Sequence, residues 1–307
     1  MTQISFKFVC QHWQADKKPY VKASTMAAYA LTVRTHLKPN FEYLEDVTPQ
    51  RVQELVDQSV EKGMSLSYVK GILVVLKMIM RYAERQGWIG TVSMDVRFPQ
   101  NLRKRNPPAA LPIKEEKLIV DYLINHPTNL NLGLLICLCC GLRIGEVCAL
   151  RWGDVDLFNR VIHVSSTVYR IYHPDGRHRK TELVIGMPKT ATSLRDVPIT
   201  DFLYNKLKRN RRRHNPKCFL TSGKATPADP QTFRNNFKRV SGMLGLSYRR
   251  VHILRHTFAT RCIEVDCDYK TLSSLLGHSD VSTTLNLYVH PNMERKMAIV
   301  EKMMKTL

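Results

Sequence analysis

Long apolar runs are missing from this sequence of 307 residues. A membrane-spanning helix needs about 20 consecutive apolar residues, and the longest candidate, residues 130–142, is interrupted by Asn131, Gly133 and Gly141. We therefore predict a buried helix here and no interaction with a membrane. Residues 1–16 also lack a basic stretch followed by an apolar core and a small-residue cleavage site, so we expect a cytoplasmic protein.

Recognisable metal-site patterns are lacking too. The chain has eight cysteines, and several of them, including Cys137, Cys139 and Cys140, lie in an apolar segment, where cysteine commonly behaves as a small buried hydrophobe. Cys262 and Cys267 have no nearby pair of histidines. We predict reduced structural thiols and no metal site. Internal repeats and low-complexity tracts are also absent from the sequence, and its length is sufficient for two globular domains.

Acidic residues are scarce in comparison with basic ones. Lys and Arg total 47 against 26 Asp and Glu, which gives a formal net charge of +21. The first 105 residues carry 16 basic and 9 acidic residues, and the remainder carries 31 and 17. Because both parts are positive, this distribution predicts contact with a long polyanion along the whole folded body. A protein that is basic for unrelated reasons is the alternative.

The first 98 residues have the pattern of a small helical bundle. Apolar residues recur at helical spacing in segments that start near Phe6, after a cap at Ser24 or Thr25, at Thr48–Pro49 and at Ser65. We predict helices over residues 6–13, 25–37, 48–63 and 65–85, packed as a compact bundle.

Residues 99–112 interrupt this pattern with several prolines and a basic triplet, Arg103, Lys104 and Arg105. Such a segment cannot be helical, so we predict an extended linker. It either follows a phosphate backbone, which makes the triplet a DNA-binding candidate, or serves as a plain spacer.

Residues 113–307 predict a second, mixed domain. Short β-branched or alternating runs at 161–165, 167–172, 182–185 and 194–199 indicate a small antiparallel sheet with a turn at 173–176. A very basic helix over 206–214 contains Arg211, Arg212 and Arg213, which are further DNA-binding candidates. We predict one helix over 230–244 and three more after Val251. The predicted fold class is mainly α, a helical bundle joined to a mixed α/β domain.

Four short segments of the second domain carry residue types that suit a phosphodiester. They are Gly141–Glu146, Pro188–Thr190, His252–His256 and Leu276–His278, which Tyr288 follows ten residues later. Arginine offers a fork of donors to the non-bridging oxygens. A tyrosine phenol can attack phosphorus, and a lysine can protonate the leaving oxygen. Each segment alone is a weak signal, but together they indicate metal-free chemistry at phosphorus.

These segments resemble the signature boxes of the tyrosine recombinases, also called the phage-integrase family. The matching catalytic positions are Arg143, Lys189, His252, Arg255, His278 and the nucleophile Tyr288, with Glu146 in support. The resemblance covers nearly the whole chain, because a helical core-binding domain normally precedes this catalytic domain. The lengthened segment 169–187 is typical of mobile-element integrases. It also contains His178 and Lys180, the alternatives to Lys189 as proton donor.

The resemblance implies site-specific recombination of double-stranded DNA by a homotetramer, for integration or excision of a mobile element. The reaction would pass through a 3′-phosphotyrosine and a Holliday junction without ATP or a cofactor. The resemblance leaves open whether an accessory DNA-bending or directionality factor is a further partner. The alternatives are a resolvase or invertase of the same family, a type IB topoisomerase and a non-catalytic DNA-binding regulator. Residues 291–307 carry an apolar stripe at helical spacing, which docks either on a neighbouring protomer or on its own domain.

Overall fold

The computed structural model describes residues 3–99, 110–172, 181–187, 191–211, 215–278, 297, 300, 301, 303 and 304. The chain divides into two compact units. The first comprises residues 1–105 and 170–183, and the second comprises residues 106–169 and 184–307. Within the described ranges, no helix combines the length and the apolar character needed to cross a membrane.

The described part of the first unit contains four α-helices around an apolar core. They are α1 (Phe6–Lys17), α2 (Ala23–Thr32), α3 (Pro49–Glu61) and α4 (Leu66–Arg85). The Thr48 side chain accepts a hydrogen bond from the Arg51 N–H at the start of α3, and Ser65 does the same for Tyr68 at the start of α4. Both caps confirm the predicted helix starts. The predicted inward face of α4 is also confirmed, since all seven residues predicted to face inward are buried, namely Val69, Ile72, Leu73, Leu76, Ile79, Met80 and Ala83.

Two helix limits in this unit differ from the prediction. α1 continues to Lys17, four residues beyond the predicted end. The predicted cap of α2 at Ser24 or Thr25 is wrong, because the helix begins at Ala23 with Lys22 as its N-terminal flanking residue. The Lys22 carbonyl already accepts the N–H groups of Thr25 and Met26, which places Ser24 and Thr25 inside the first turn. The predicted span to Leu37 is completed by a π-helical turn over Val33–Leu37.

The second unit contains seven described α-helices. They are α5 (Ile113–Asn125), α6 (Asn129–Cys140), α7 (Ile144–Ala149), α8 (Asp201–Arg211), α9 (Pro230–Met243), α10 (His252–Glu264) and α11 (Tyr269–Leu276). α6 is the predicted buried helix, and α10 packs against it. α8 begins five residues before its predicted start, because Leu203 and Leu207 bury one helical face there. Of the third helix predicted after Val251, only residues 297, 300, 301, 303 and 304 lie within the described part, and they are helical.

The strands form two small sheets instead of the single predicted sheet. The strands are β1 (Val155–Asp156), β2 (Val161–Val164), β3 (Thr167–Tyr172), β4 (Thr181–Gly186) and β5 (Arg195–Pro198). β2 is central in one antiparallel sheet, where Ile162 lies opposite Val155 of β1 and Val197 of β5. β3 and β4 pair separately. Alternating patterns predict strands but not their partners, and β1 is too short to show a pattern. The predicted turn at 173–176 lies outside the described residues.

All eight cysteines are free thiols. Burial raises the pKa of the Cys139 and Cys148 thiols to about 12. Both thiols are therefore protonated at neutral pH and pack as small apolar groups.

Gly141 ends α6 in a left-handed conformation, with φ +63°, directly against Phe258. We expect Gly141→Ala to lower the free energy of unfolding by roughly 2–5 kcal/mol. The left-handed backbone costs a residue with a Cβ about 1–2 kcal/mol. The new Cβ would also overlap Cδ1 of Phe258, and overpacking of this kind costs about 1–3 kcal/mol.

Gly245 provides the matched control, to be compared by urea unfolding. It has φ +65° in the same unit, but a Cβ added there would meet no atom within 4 Å. Gly245→Ala should therefore lose only the backbone contribution. Equal losses of unfolding free energy in the two variants would show that the overlap with Phe258 does not contribute to the destabilisation.

Candidate active site

Arg143 and Glu146 are joined at the start of α7, as the short spacing between them predicted. The Arg143 backbone N–H donates to Glu146 Oε2 at 2.8 Å, and its Nη1 donates to Oε1 at 2.8 Å. The same guanidinium reaches a loop distant in sequence, with Nη2 donating to the Gly277 carbonyl at 3.2 Å. Arg143 is therefore held at the N-terminal end of α7 and faces the segment that follows α11.

Arg255 is an almost fully buried cation on α10, only 2% exposed. Its Nη1 donates to the Gly141 carbonyl at 2.8 Å, and its Nη2 donates to the Leu276 carbonyl at 2.8 Å. Nη2 also lies 2.8 Å from Nε2 of His278. One side chain thus joins the end of α6 to the loop after α11, which brings three of the sequence motifs together.

His278 is held as a neutral imidazole. Arginine has no acceptor, so Nε2 of His278 accepts from Arg255 and the ring proton resides on Nδ1. Burial, together with the charges of Arg255, Arg143 and Arg195, lowers the pKa of His278 to about 4. The imidazole therefore presents an Nδ1–H donor beside the arginines at neutral pH.

His252 is the first residue of α10, one helical turn before Arg255. Burial lowers its pKa below the ordinary value, and the neighbouring charges of Arg255 and Arg143 act in the same direction. Both predicted histidines thus lie in the electrostatic field of the predicted arginines. His256, on the following turn, also has a pKa lowered by burial.

Arg195, at the start of β5, is a site residue that the sequence analysis missed. Its guanidinium donates Nη2 to Glu146 Oε2 at 2.9 Å and Nη1 to Oε1 at 3.2 Å. Its Nε donates to the Leu275 carbonyl at 2.7 Å. The available signal was strand alternation, because Arg195 shares a strand face with the buried Val197. An arginine at such a position needs a buried partner.

We call Arg143, Arg195 and Arg255, with their shared carboxylate Glu146, the arginine cluster. Burial alone would raise the pKa of Glu146, but its hydrogen bond to Arg195 and the charges of Arg195 and Arg143 outweigh burial and hold that pKa below the ordinary value. Three cations against one carboxylate leave the cluster net positive. Its donors converge on the carbonyls of residues 275–277, beside the C-terminal end of α11. Such a site is suited to bind an anion with several oxygens.

The other predicted site residues are not placed by the structure. Lys189 and Tyr288 lie outside the described residues, as do the DNA-binding candidates Arg103, Lys104, Arg105, Arg212 and Arg213. Arg211, the last residue of α8, is half-buried, and its Nη1 has no hydrogen-bond partner within the described ranges. In those ranges, no three His, Cys, Asp or Glu side chains are grouped as metal ligands.

The low pKa of His278 predicts a loss of stability in acid. In the unfolded chain this histidine takes up a proton near pH 6.5, but in the folded site it does so only near pH 4. Its contribution to stability is therefore complete above pH 6.5 and is lost as the pH falls toward 4. We expect His278→Gln to show a shallower decline in unfolding free energy between these values, measured by urea unfolding. The same slope in both proteins would assign the titration to other groups.

Sequence profiles of known families match both parts of the chain. The profile described as phage integrase family matches residues 110–295, more than half of the sequence. The profile described as phage integrase, N-terminal SAM-like domain, matches residues 5–58. The first match contains every described residue of the arginine cluster.

Individual proteins resemble the chain over nearly its full length. A tyrosine recombinase XerC-like protein of Caldanaerobacter subterraneus is 25% identical, over 91% of this chain and 77% of its own. The solved Tn1549 transposon integrase, in complex with a circular intermediate DNA, superposes with a TM-score of 0.77 at 22% identity, covering 98% of this chain and all of that chain. A solved lambda integrase tetramer bound to a Holliday junction superposes with a TM-score of 0.69 at 17% sequence identity, covering 94% of this chain and 78% of that chain. Both structural likenesses show a common fold.

Proposed function

Because this chain belongs to the phage integrase family, the tyrosine recombinases, we propose that Arg143 and Arg255 of the arginine cluster bind the scissile phosphate and that Tyr288 attacks it. The protein is a DNA breaking-and-rejoining enzyme that performs site-specific recombination for a mobile element. The mainly helical fold with small antiparallel sheets agrees with this assignment. The roles of individual residues are our proposal.

The observation that carries the proposal is the convergence of Arg143, Arg255 and His278 on the loop after α11. Attack on a phosphodiester concentrates negative charge on two non-bridging oxygens. Two guanidinium groups offer planar donor pairs to those oxygens, and fixed donors of this kind stabilise charge that develops in a transition state. The neutral His278 adds its Nδ1–H as a further donor, and His252 lies one turn from Arg255.

Tyr288 supplies the nucleophile in this proposal. Its phenol oxygen forms a bond to phosphorus as the bond from phosphorus to the 5′-oxygen breaks, which yields a 3′-phosphotyrosine and a 5′-hydroxyl. Lys189 gives its proton to the departing 5′-oxygen, and the proton that the phenol loses passes to solvent. The covalent link conserves the energy of the broken bond, so a 5′-hydroxyl from a partner duplex reverses the step and rejoins the strand.

The macromolecular partner in this proposal is double-stranded DNA, contacted by the basic residues of both predicted domains and of the predicted linker 99–112. Four protomers act on two duplexes in the cytoplasm. A tetramer is the state in which lambda integrase is bound to a Holliday junction. Met297, Val300 and Met304 are each more than half exposed, which supports docking of the C-terminal stripe on a neighbouring protomer. An accessory bending or directionality factor remains part of the proposal.

The test uses a duplex that carries the recombination site of the element and a nick beside the scissile phosphate. Cleavage then releases a short fragment and traps the protein on DNA. We expect a covalent complex with the wild-type chain and joined products when a second, differently labelled duplex is added. Relaxation of supercoiled DNA without joined products would indicate a topoisomerase. Binding without any covalent complex would indicate a non-catalytic regulator.

A further inference from the structure

The buried carboxylate of the arginine cluster is shared unequally between two arginines. The side chains of Glu146, Arg195 and Arg143 are 3%, 5% and 36% exposed. Arg195 places one nitrogen on each carboxylate oxygen, Nη1 on Oε1 and Nη2 on Oε2. Arg143 offers the carboxylate only one side-chain nitrogen, Nη1, at 2.8 Å from Oε1. The deeply buried Arg195 therefore makes two side-chain hydrogen bonds to the carboxylate, and the accessible Arg143 makes one.

This arrangement determines how many donors Arg143 can offer to a ligand. A carboxylate that faces a lone guanidinium favours a bidentate pair, which occupies two of the arginine nitrogens. The Arg195 fork already occupies both oxygens of Glu146, so Arg143 gives the carboxylate only its side-chain Nη1. Nη2 of Arg143 makes one bond, to the Gly277 carbonyl, and the remaining N–H groups stay available to a ligand. Without Arg195, Glu146 would be expected to turn toward Arg143 and to engage a second of its nitrogens.

Arg195 also fixes the loop that carries His278. Its Nε donates to the Leu275 carbonyl at 2.7 Å, and its Nη1 donates to the Ser193 carbonyl at 3.2 Å. Gly277, with φ +64°, packs directly on this side chain, because a Cβ there would lie 3.0 Å from Nη1 of Arg195. One buried guanidinium thus connects the start of β5, α7 and the end of α11.

We propose that Arg195 is a positioning residue for strand cleavage, which holds Glu146 so that the Arg143 guanidinium stays available to the scissile phosphate. The inference rests on the proposed function, in which Arg143 binds that phosphate. All three guanidinium nitrogens of Arg195 already donate to protein groups, namely the Glu146 carboxylate and the Leu275 and Ser193 carbonyls, so Arg195 acts through Glu146 and Arg143.

The experiment measures single-turnover cleavage of the nicked duplex, together with DNA affinity and thermal stability, for the full chain. We expect Arg195→Met to slow cleavage about 100-fold, the scale of one lost transition-state donor, and to leave the Kd for the duplex within about threefold. Arg195→Lys keeps the charge but cannot form the fork, so it should recover only part of the rate.

The matched control is Arg261→Met. Arg261 makes the same number of side-chain hydrogen bonds in the same unit, namely four, to Glu116, Glu264 and the Leu111 carbonyl. These partners lie outside the arginine cluster. We expect a comparable loss of stability and an almost unchanged cleavage rate. A cleavage defect as large as that of Arg195→Met would show that any lost arginine network slows the enzyme.

Two further measurements separate positioning from a merely structural role. In a Glu146→Gln background, Arg195→Met should slow cleavage by less than about threefold, because the residue through which Arg195 acts has changed. This double variant also avoids leaving a buried carboxylate with too few partners, should the single variant fail to fold. The second measurement uses duplexes in which a methyl group replaces one non-bridging oxygen of the scissile phosphate, which gives two diastereomers. On one of these diastereomers, Arg143→Ala should cleave at nearly the wild-type rate, and Arg195→Met should do so on the same diastereomer.

The outcomes distinguish this inference from the proposed function. If the wild-type chain forms no covalent complex, the proposed function fails. If the wild type cleaves and Arg195→Met cleaves equally fast, only the positioning role fails. Two further outcomes overturn the inference. In the first, Arg195→Met is slow, but its effect on the cleavage rate adds fully to that of Glu146→Gln. In the second, the slowing by Arg195→Met is the same on the normal phosphate and on both methyl-substituted diastereomers.

Discussion

Replacing Tyr288 by phenylalanine is expected to abolish strand cleavage, with a rate at least ~10⁴-fold below that of the wild type. The substitution removes a single oxygen, which is the atom that bonds to phosphorus in the proposed reaction. Affinity for the duplex should stay almost unchanged, because binding comes chiefly from phosphate contacts made by basic side chains. The measurement is covalent-complex formation on the nicked duplex, alongside the Kd from a gel-shift titration.

Tyr269→Phe is the control for this variant. Tyr269 is the first residue of α11, close in sequence to the motif segment 276–278, and is 37% exposed. The Tyr269→Phe variant should cleave the nicked duplex at the wild-type rate. Covalent complex from Tyr288→Phe, or its loss from Tyr269→Phe, would move the nucleophile to another residue.

Arg255→Lys should be the second most damaging substitution, slowing cleavage by about 10²–10³-fold, or roughly 3–4 kcal/mol in the barrier. The charge is retained, but a single ammonium group cannot reach the Gly141 carbonyl, the Leu276 carbonyl and His278 from one position, as the guanidinium does. The loop after α11 would lose its link to the end of α6, and the phosphate would lose a planar donor pair.

The cleavage rate and the melting temperature of Arg255→Lys should be measured together, with Arg261→Lys as control. Arg261 is on the same helix and also bonds carboxylates and a backbone carbonyl, but its partners are Glu116, Glu264 and Leu111. Arg261→Lys should retain nearly full cleavage. A wild-type rate in Arg255→Lys would place this arginine outside the phosphate-binding machinery.

Local sequence signals predicted most of the helices because the forces that define them act over a few residues. The caps at Thr48 and Ser65 and the apolar face of α4 are such signals, and the structure confirms them. The limit of α2 was wrong because the carbonyl of Lys22, and not a side-chain oxygen, receives the first N–H groups. A backbone acceptor leaves no trace in the sequence.

Contacts between distant segments were harder to predict. The pattern at 194–199 indicated a strand, but pairing with β2 instead of β4 depends on the tertiary fold. Arg143, His252, Arg255 and His278 were found because each lies in a short motif, whereas Arg195 was missed because its partner Glu146 is 49 residues away. Its role follows only from that contact. The catalytic roles of all six predicted residues, Lys189 and Tyr288 included, stay predictions.

If this chain breaks DNA by joining it to Tyr288, mass spectrometry can locate the bond between the tyrosine and the DNA. The wild-type protein is trapped on the nicked duplex, digested with protease and nuclease, and the peptide that carries the nucleotide is sequenced by mass spectrometry. We expect a 3′-phosphate joined to Tyr288, in a yield that falls to background with Tyr288→Phe. A nucleotide joined to any other residue, or no nucleotide-bearing peptide from a protein that binds the duplex, would rule out Tyr288 as the nucleophile.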